Sequence, residues 1–136
     1  MKKPKNYHGY AFMDPEETYD TKYLNTKKGK KGLKKILKRN KKHQKHLKKY
    51  GWDKTETWNL DYSITMFILP RLKYFAKNIV SYPNDLTLKK WKKILNKMIY
   101  AFEKYSEDDW FGNKEENKKI NDGLDLFREY FMSLWS

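Results

Sequence analysis

Apolar residues recur along most of this chain at intervals of three and four, the repeat of a helix with one buried face. Leu33, Ile36, Leu37, Leu47 and Tyr50 fall on one such stripe, with Asn40, His43 and Gln44 filling its middle and lysines at most other positions. Gly51 suits the left-handed C-cap that would end this helix. Gly29 and Gly32 disfavour its extension before about Leu33. A second helix is predicted from Thr57 or Asn59 to about Ile79, burying Leu60, Ile64, Phe67, Ile68, Leu72 and Phe75. Pro70 lies inside it, lacks an N–H and crowds the preceding turn, so a kink or a split is expected there. Thr87 is an N-cap candidate, and Leu86 can staple onto Trp91. Trp91, Ile94, Leu95, Met98, Ile99, Phe102 and Tyr105 then continue a long amphipathic helix. The last helix, from about Glu115 to Leu134, turns Ile120, Leu124, Phe127, Phe131 and Leu134 inward, with Gly123 as a weak point. Ahead of all these, Asp14-Pro15-Glu16-Glu17 has the order of a helix start running to about Leu24, with Tyr19 and Tyr23 on its inner face. Tyr7, Tyr10 and Phe12 alternate loosely, as in a short strand or an extended arm.

These periods predict an all-α fold: a small helical bundle of three to four core helices, bearing a Lys-rich amphipathic helical arm. The expected boundaries are an N-terminal extension with a short helix at residues 1–26, the arm at 27–50 and the bundle domain at 51–136. Trp58, Trp91, Trp110 and Trp135 are the expected large core contributors. A bundle of that size is small but sufficient to bury a core.

Charge changes this picture more than composition does. The chain of 136 residues carries 31 Lys plus Arg against 17 Asp plus Glu, a formal +14. Residues 1–26 are neutral, residues 50–136 carry +1, and residues 27–49 hold +13 with no acid. Aromatic residues reach 17%, too many for a highly charged disordered polymer. Apolar runs are too short for the roughly 20 residues of a bilayer span, and no secretory leader pattern occurs. The absence of cysteine removes disulfides and thiolate chemistry and fits a cytoplasmic setting. A stripe of cations without acids concentrates phosphate-bearing ligands and releases their counterions, although a solvated basic face has the same sequence.

Candidate chemistry follows from that stripe. Lys34, Lys35, Lys38, Arg39, Lys41, Lys42 and Lys45 are the expected phosphate contacts, with His46, Tyr50 and Trp52 as stacking or hydrogen-bonding groups. Lysine is a point charge rather than a bidentate fork, which favours backbone contact over base-specific reading. No catalytic residue, metal or cofactor is expected. His43 and His46 are close enough to share a metal but have no carboxylate within the basic segment, and His43 on the apolar seam reads as a packing residue or a phosphate contact. Neither a Gly-x-Ser-x-Gly elbow nor a phosphate-binding glycine loop occurs. Glu103, Glu107, Asp108 and Asp109 would be the ligands of a metal-dependent phosphodiesterase, or an exposed acidic helix end that meets a basic arm. Asp61, between Leu60 and Tyr62, would be buried and need Arg71 or Lys73 as partner.

The motifs Trp58-Asn59-Leu60-Asp61-Tyr62-Ser63-Ile64 and Phe67-Ile68-Leu69-Pro70-Arg71-Leu72-Lys73 are followed by Tyr82-Pro83 and a Trp-x-x-Ile-Leu-x-Lys-Met-Ile-x-Ala-Phe block from Trp91 to Phe102. Gly-Leu-x-Leu-Phe from Gly123 to Phe127 and the Tyr-Phe-x-x-Leu-Trp ending from Tyr130 to Trp135 complete the set. In this combination residues 51–135 resemble a group of small tailed-phage proteins, and the resemblance stops before the lysine arm. It implies a phage origin and a host-cytoplasm setting, where small proteins without enzyme motifs are often antagonists of host defence; it implies no reaction. The expectation is a non-enzymatic protein binding a polyanion (an immune-signalling nucleotide, RNA or DNA) through the arm. The alternative is an interaction module, an inhibitor or an assembly unit that binds an acidic protein surface. A homo-oligomer is compatible with both.

Overall fold

Asp20 sets the first helical turn: its extended backbone ends one direction of the chain, and its carboxylate accepts the Tyr23 N–H at 2.6 Å. The structure, a computed structural model, describes residues 19–107 and 112–135. Every element in those residues is helical, so the fold is all-α. The expected start at Asp14 and the loose alternation at Tyr7, Tyr10 and Phe12 lie outside the described residues. Helix α1 is a single turn, Thr21–Leu24, and Tyr19 precedes its cap, although its ring still lies 5.0 Å from that of Tyr23. Two compact units divide the chain, Met1–Ser63 and Ile64–Ser136; the sequence expects the boundary at about residue 51.

In the first unit, helix α2 spans Lys27–Tyr50 and starts six residues earlier than the glycines suggest. Thr26 caps it by accepting the Gly29 N–H at 2.9 Å while its hydroxyl donates to the Tyr23 carbonyl at 2.7 Å. Gly29 is buried, and a β-carbon there would overlap the carbonyl oxygen of Tyr23. That glycine is therefore the place where α1 closes onto α2, and its low helix propensity is outweighed by a contact no other residue permits. Ile36, Asn40 and His43 form the buried line of α2, while Leu37, Gln44 and Tyr50, expected on the same seam, are exposed. Gly51 ends the helix at φ 76°, donating its N–H to the Leu47 carbonyl at 2.8 Å, as its left-handed C-cap role requires. A 3-10 turn, Lys54–Thr57, follows, with Asp53 and Glu56 closing a capping box.

Helix α3 spans Leu60–Lys77 and continues through Pro70 without splitting. The Arg71 guanidinium donates to the Phe67 carbonyl at 2.7 Å and stacks 3.7 Å above the Phe67 ring. In the second unit, helix α4 (Leu88–Glu107) starts at Thr87, whose hydroxyl accepts the Lys90 N–H at 3.3 Å, and helix α5 (Lys114–Glu129) starts at Asn113. Helix α5 ends sooner than its apolar pattern, which continues into a 3-10 turn at Phe131–Ser133. Leu72, Trp91, Leu95, Met98 and Phe102 are the buried centre, with Ile68, Phe75, Leu124, Phe127 and Tyr130 packed around them. Phe127 meets Phe102 edge-on at 5.1 Å. Gly123 is no simple weak point, because a β-carbon there would lie 2.5 Å from both the Ala101 β-carbon and the Lys97 carbonyl.

Several expected core residues are at the surface instead. Trp58 (63% exposed) and Trp135 (67%) are not core residues, and Trp110 lies outside the described residues. Leu60, Ile64 and Phe67 leave an apolar row exposed on α3, since only its other face meets the core. Asp61 is exposed rather than buried; Arg71 serves Phe67, and Lys73 pairs with Glu103 at 2.5 Å. No helix among the described residues is long and apolar enough to cross a membrane.

Candidate phosphate-binding site

The basic helix is anchored from beneath by one buried carboxylate. Gly51 reverses the chain, which brings Asp53 back against the middle of α2, where His43 Nδ1 lies 2.7 Å from Asp53 Oδ2. The other carboxylate oxygen of Asp53 accepts the Thr55 N–H at 2.9 Å and the Thr55 hydroxyl at 2.6 Å. Burial disfavours the charged carboxylate, but the Thr55 hydroxyl, the Thr55 N–H and His43 outweigh it and hold the Asp53 carboxyl at about 2. Asp53 is therefore an anion, and the hydrogen of this pair resides on His43 Nδ1. His46 is fixed in a parallel way: its Nδ1 lies 3.0 Å from the Trp52 carbonyl, which only accepts, so Nδ1 carries the hydrogen there too.

Two concavities open along this helix. One of about 650 Å³ is lined by Lys35, Lys38, Arg39, Lys41, Lys42, His43 and Lys45. The second, of about 270 Å³, is lined by Lys42, His43, Lys45, His46, Lys49, Tyr50, Asp53 and Lys54. They share Lys42, His43 and Lys45, so the histidine held by Asp53 lies where the two meet. Of the expected phosphate contacts, all but Lys34 line these hollows. His46 and Tyr50 line the smaller one, their rings 4.5 Å apart, and Lys49 Nζ sits 4.9 Å from the Tyr50 ring centre. Trp52 does not line it but braces it, its ring edge-on to His46 at 5.4 Å. Lysines around a concave floor with exposed aromatic edges can hold phosphate oxygens and stack a base.

Spacing along the chain does not point to Asp53, Lys49 or Lys54 as parts of this site. A signal for Asp53 is nevertheless present: Asp53-Lys54-Thr55-Glu56 is a capping-box pattern, which marks a buried turn start. The acidic cluster resolves differently. Glu103 pairs with Lys73 and Glu107 with Lys104 at 2.7 Å, while Asp108 and Asp109 lie outside the described residues. Among the described residues no group of three or more His, Asp or Glu is placed to hold a metal ion.

No family model, curated protein or solved structure matches this chain.

Proposed function

We propose that this chain captures a phosphate-rich partner, a nucleotide or a nucleic acid strand, on the cationic face of α2. The observation that carries the reading is the pair of lysine-lined hollows meeting at His43, because they gather Lys35, Lys38, Arg39, Lys41, Lys42 and Lys45 beside the His46 and Tyr50 rings. A solvated basic face would need neither a buried carboxylate to anchor it nor aromatic rings braced beside it. The resemblance of residues 51–135 to small tailed-phage proteins supports a setting in the cytoplasm of an infected host. There a captured immune-signalling nucleotide or nucleic acid would be withdrawn from host defence. The test is titration of a labelled single-stranded oligonucleotide at low salt. Lys42→Glu combined with Lys45→Glu is expected to weaken binding at least about tenfold, and an unchanged affinity refutes the reading.

A second reading, a protein-interaction module, is favoured by the exposed Ile64, Phe67 and Tyr74 on α3, an apolar row of the kind that marks protein contacts; an acidic partner would in addition engage the lysines of α2. It predicts a nuclease-resistant complex with a host protein that is lost on Phe67→Glu.

A further inference from the structure

The smaller hollow holds two histidines rather than one, and both are prepared in the same way. His43 and His46 line it together, with Lys42, Lys45, Lys49 and Lys54 around them. Each ring has its Nδ1 occupied, His43 by the Asp53 carboxylate and His46 by the Trp52 carbonyl. With Nδ1 of each ring engaged, Nε2 is the nitrogen left to give or take a proton. Two imidazoles in fixed tautomers within a field of lysines are the components of acid–base cleavage of a phosphodiester that carries its own nucleophile.

We propose that this hollow cleaves single-stranded RNA by internal transphosphorylation. The inference rests on the binding reading above and adds chemistry to it, beyond the non-enzymatic role the sequence suggests. His46, whose Nδ1–H is held by the Trp52 carbonyl, takes the proton of a ribose 2′-hydroxyl at Nε2. The 2′-oxygen forms a bond to phosphorus, the bond from phosphorus to the 5′-oxygen breaks, and His43 gives a proton from Nε2 to that leaving oxygen. The Asp53 carboxylate lies against Nδ1 of His43, which is why His43 is assigned the donor. The products are a 2′,3′-cyclic phosphate and a 5′-hydroxyl, with atoms and protons balanced and no outside reactant. Lys42, Lys45, Lys49 and Lys54 would neutralise the charge that gathers on the phosphoryl oxygens. A strand lacking the 2′-hydroxyl would bind and stay intact.

The test uses the full chain in excess EDTA with a labelled RNA oligonucleotide and a DNA oligonucleotide of the same sequence. RNA is expected to be cut to 2′,3′-cyclic phosphate ends, and DNA to bind uncut. His46→Gln and His43→Gln should each slow cleavage of fully bound RNA at least about 100-fold, measured in single turnovers at protein concentrations that saturate each variant. If His43→Gln fails to fold, His46→Gln alone decides the point. Binding of both strands without cleavage overturns this inference and leaves the binding reading standing; failure to bind either strand overturns both. Cleavage that persists at full rate in His46→Gln also overturns it.

Discussion

His43 and Asp53 meet as a buried pair, Nδ1 2.7 Å from Oδ2, and so tie the middle of helix α2 to the turn beyond its end. The contact closes a loop of ten residues through the left-handed Gly51. It also leaves a helix of densely packed like charges with one internal anion beneath it, which offsets part of the repulsion among its lysines.

Asp53 should impose an acid limit on stability. Its folded carboxyl sits at about 2, below the ordinary 3.8, so its contribution is complete above about pH 4 and is lost as pH falls toward 2. That contribution is about 2 kcal/mol. Urea midpoints of the wild type should fall across this range, while Asp53→Asn should start lower and lose the Asp53 component of the slope. Equal slopes for the two proteins would refute the assignment.

The two glycines at the start of α2 should respond oppositely to alanine. A β-carbon added at Gly32 would meet no atom within 4 Å, so Gly32→Ala should stabilise by about 0.5–1 kcal/mol through helix propensity. Gly29→Ala drives a β-carbon into the Tyr23 backbone and should cost more than about 1 kcal/mol or open α1 from α2. Thermal melts of the two variants check the opposite signs, and Gly123→Ala should behave like Gly29→Ala in the second unit.

Salt dependence should separate the lysines that line the hollows from the one that does not. Each lysine in direct phosphate contact contributes about 0.7 to the slope of log affinity against log salt on a single strand. Lys42→Ala and Lys45→Ala should each reduce that slope by about this amount, and Lys34→Ala, which removes a charge outside both hollows, should reduce it less. Oligonucleotide titrations across a series of salt concentrations measure it.

Arg71 should matter to α3 out of proportion to its exposure. Arg71→Ala removes both the bond to the Phe67 carbonyl and the stacked guanidinium, and should cost about 1 kcal/mol. Arg71→Lys retains charge but not the planar fork, so it should recover less than half of that loss in denaturant midpoints.

Much of the helical content was legible because amphipathic spacing is a local property. The Thr87 start of α4, the Gly51 end of α2 and the inward positions from Trp91 to Phe102 all follow from residues within a turn or two of each other. The errors fall where a distant backbone decides. Propensity argued against helix at Gly29, yet the Tyr23 carbonyl occupies the space that a side chain would need. Leu60, Ile64 and Phe67 have the right spacing for a buried face, but periodicity does not say which stripe of a helix meets a neighbour, and on α3 the core takes Leu72 with Ile68 and Phe75 beside it.

The sequence alone determined an all-α chain and confined its charge to residues 27–49, because helical period and side-chain charge belong to each stretch of chain by itself. Tertiary structure alone decided that the charged helix rests on Asp53 and that Asp53 and Lys54 join His43 and His46 in one hollow. The chain reverses at Gly51 and a buried carboxylate must find its hydrogen-bond donors, so that juxtaposition depends on three-dimensional closure, which no spacing along the sequence encodes.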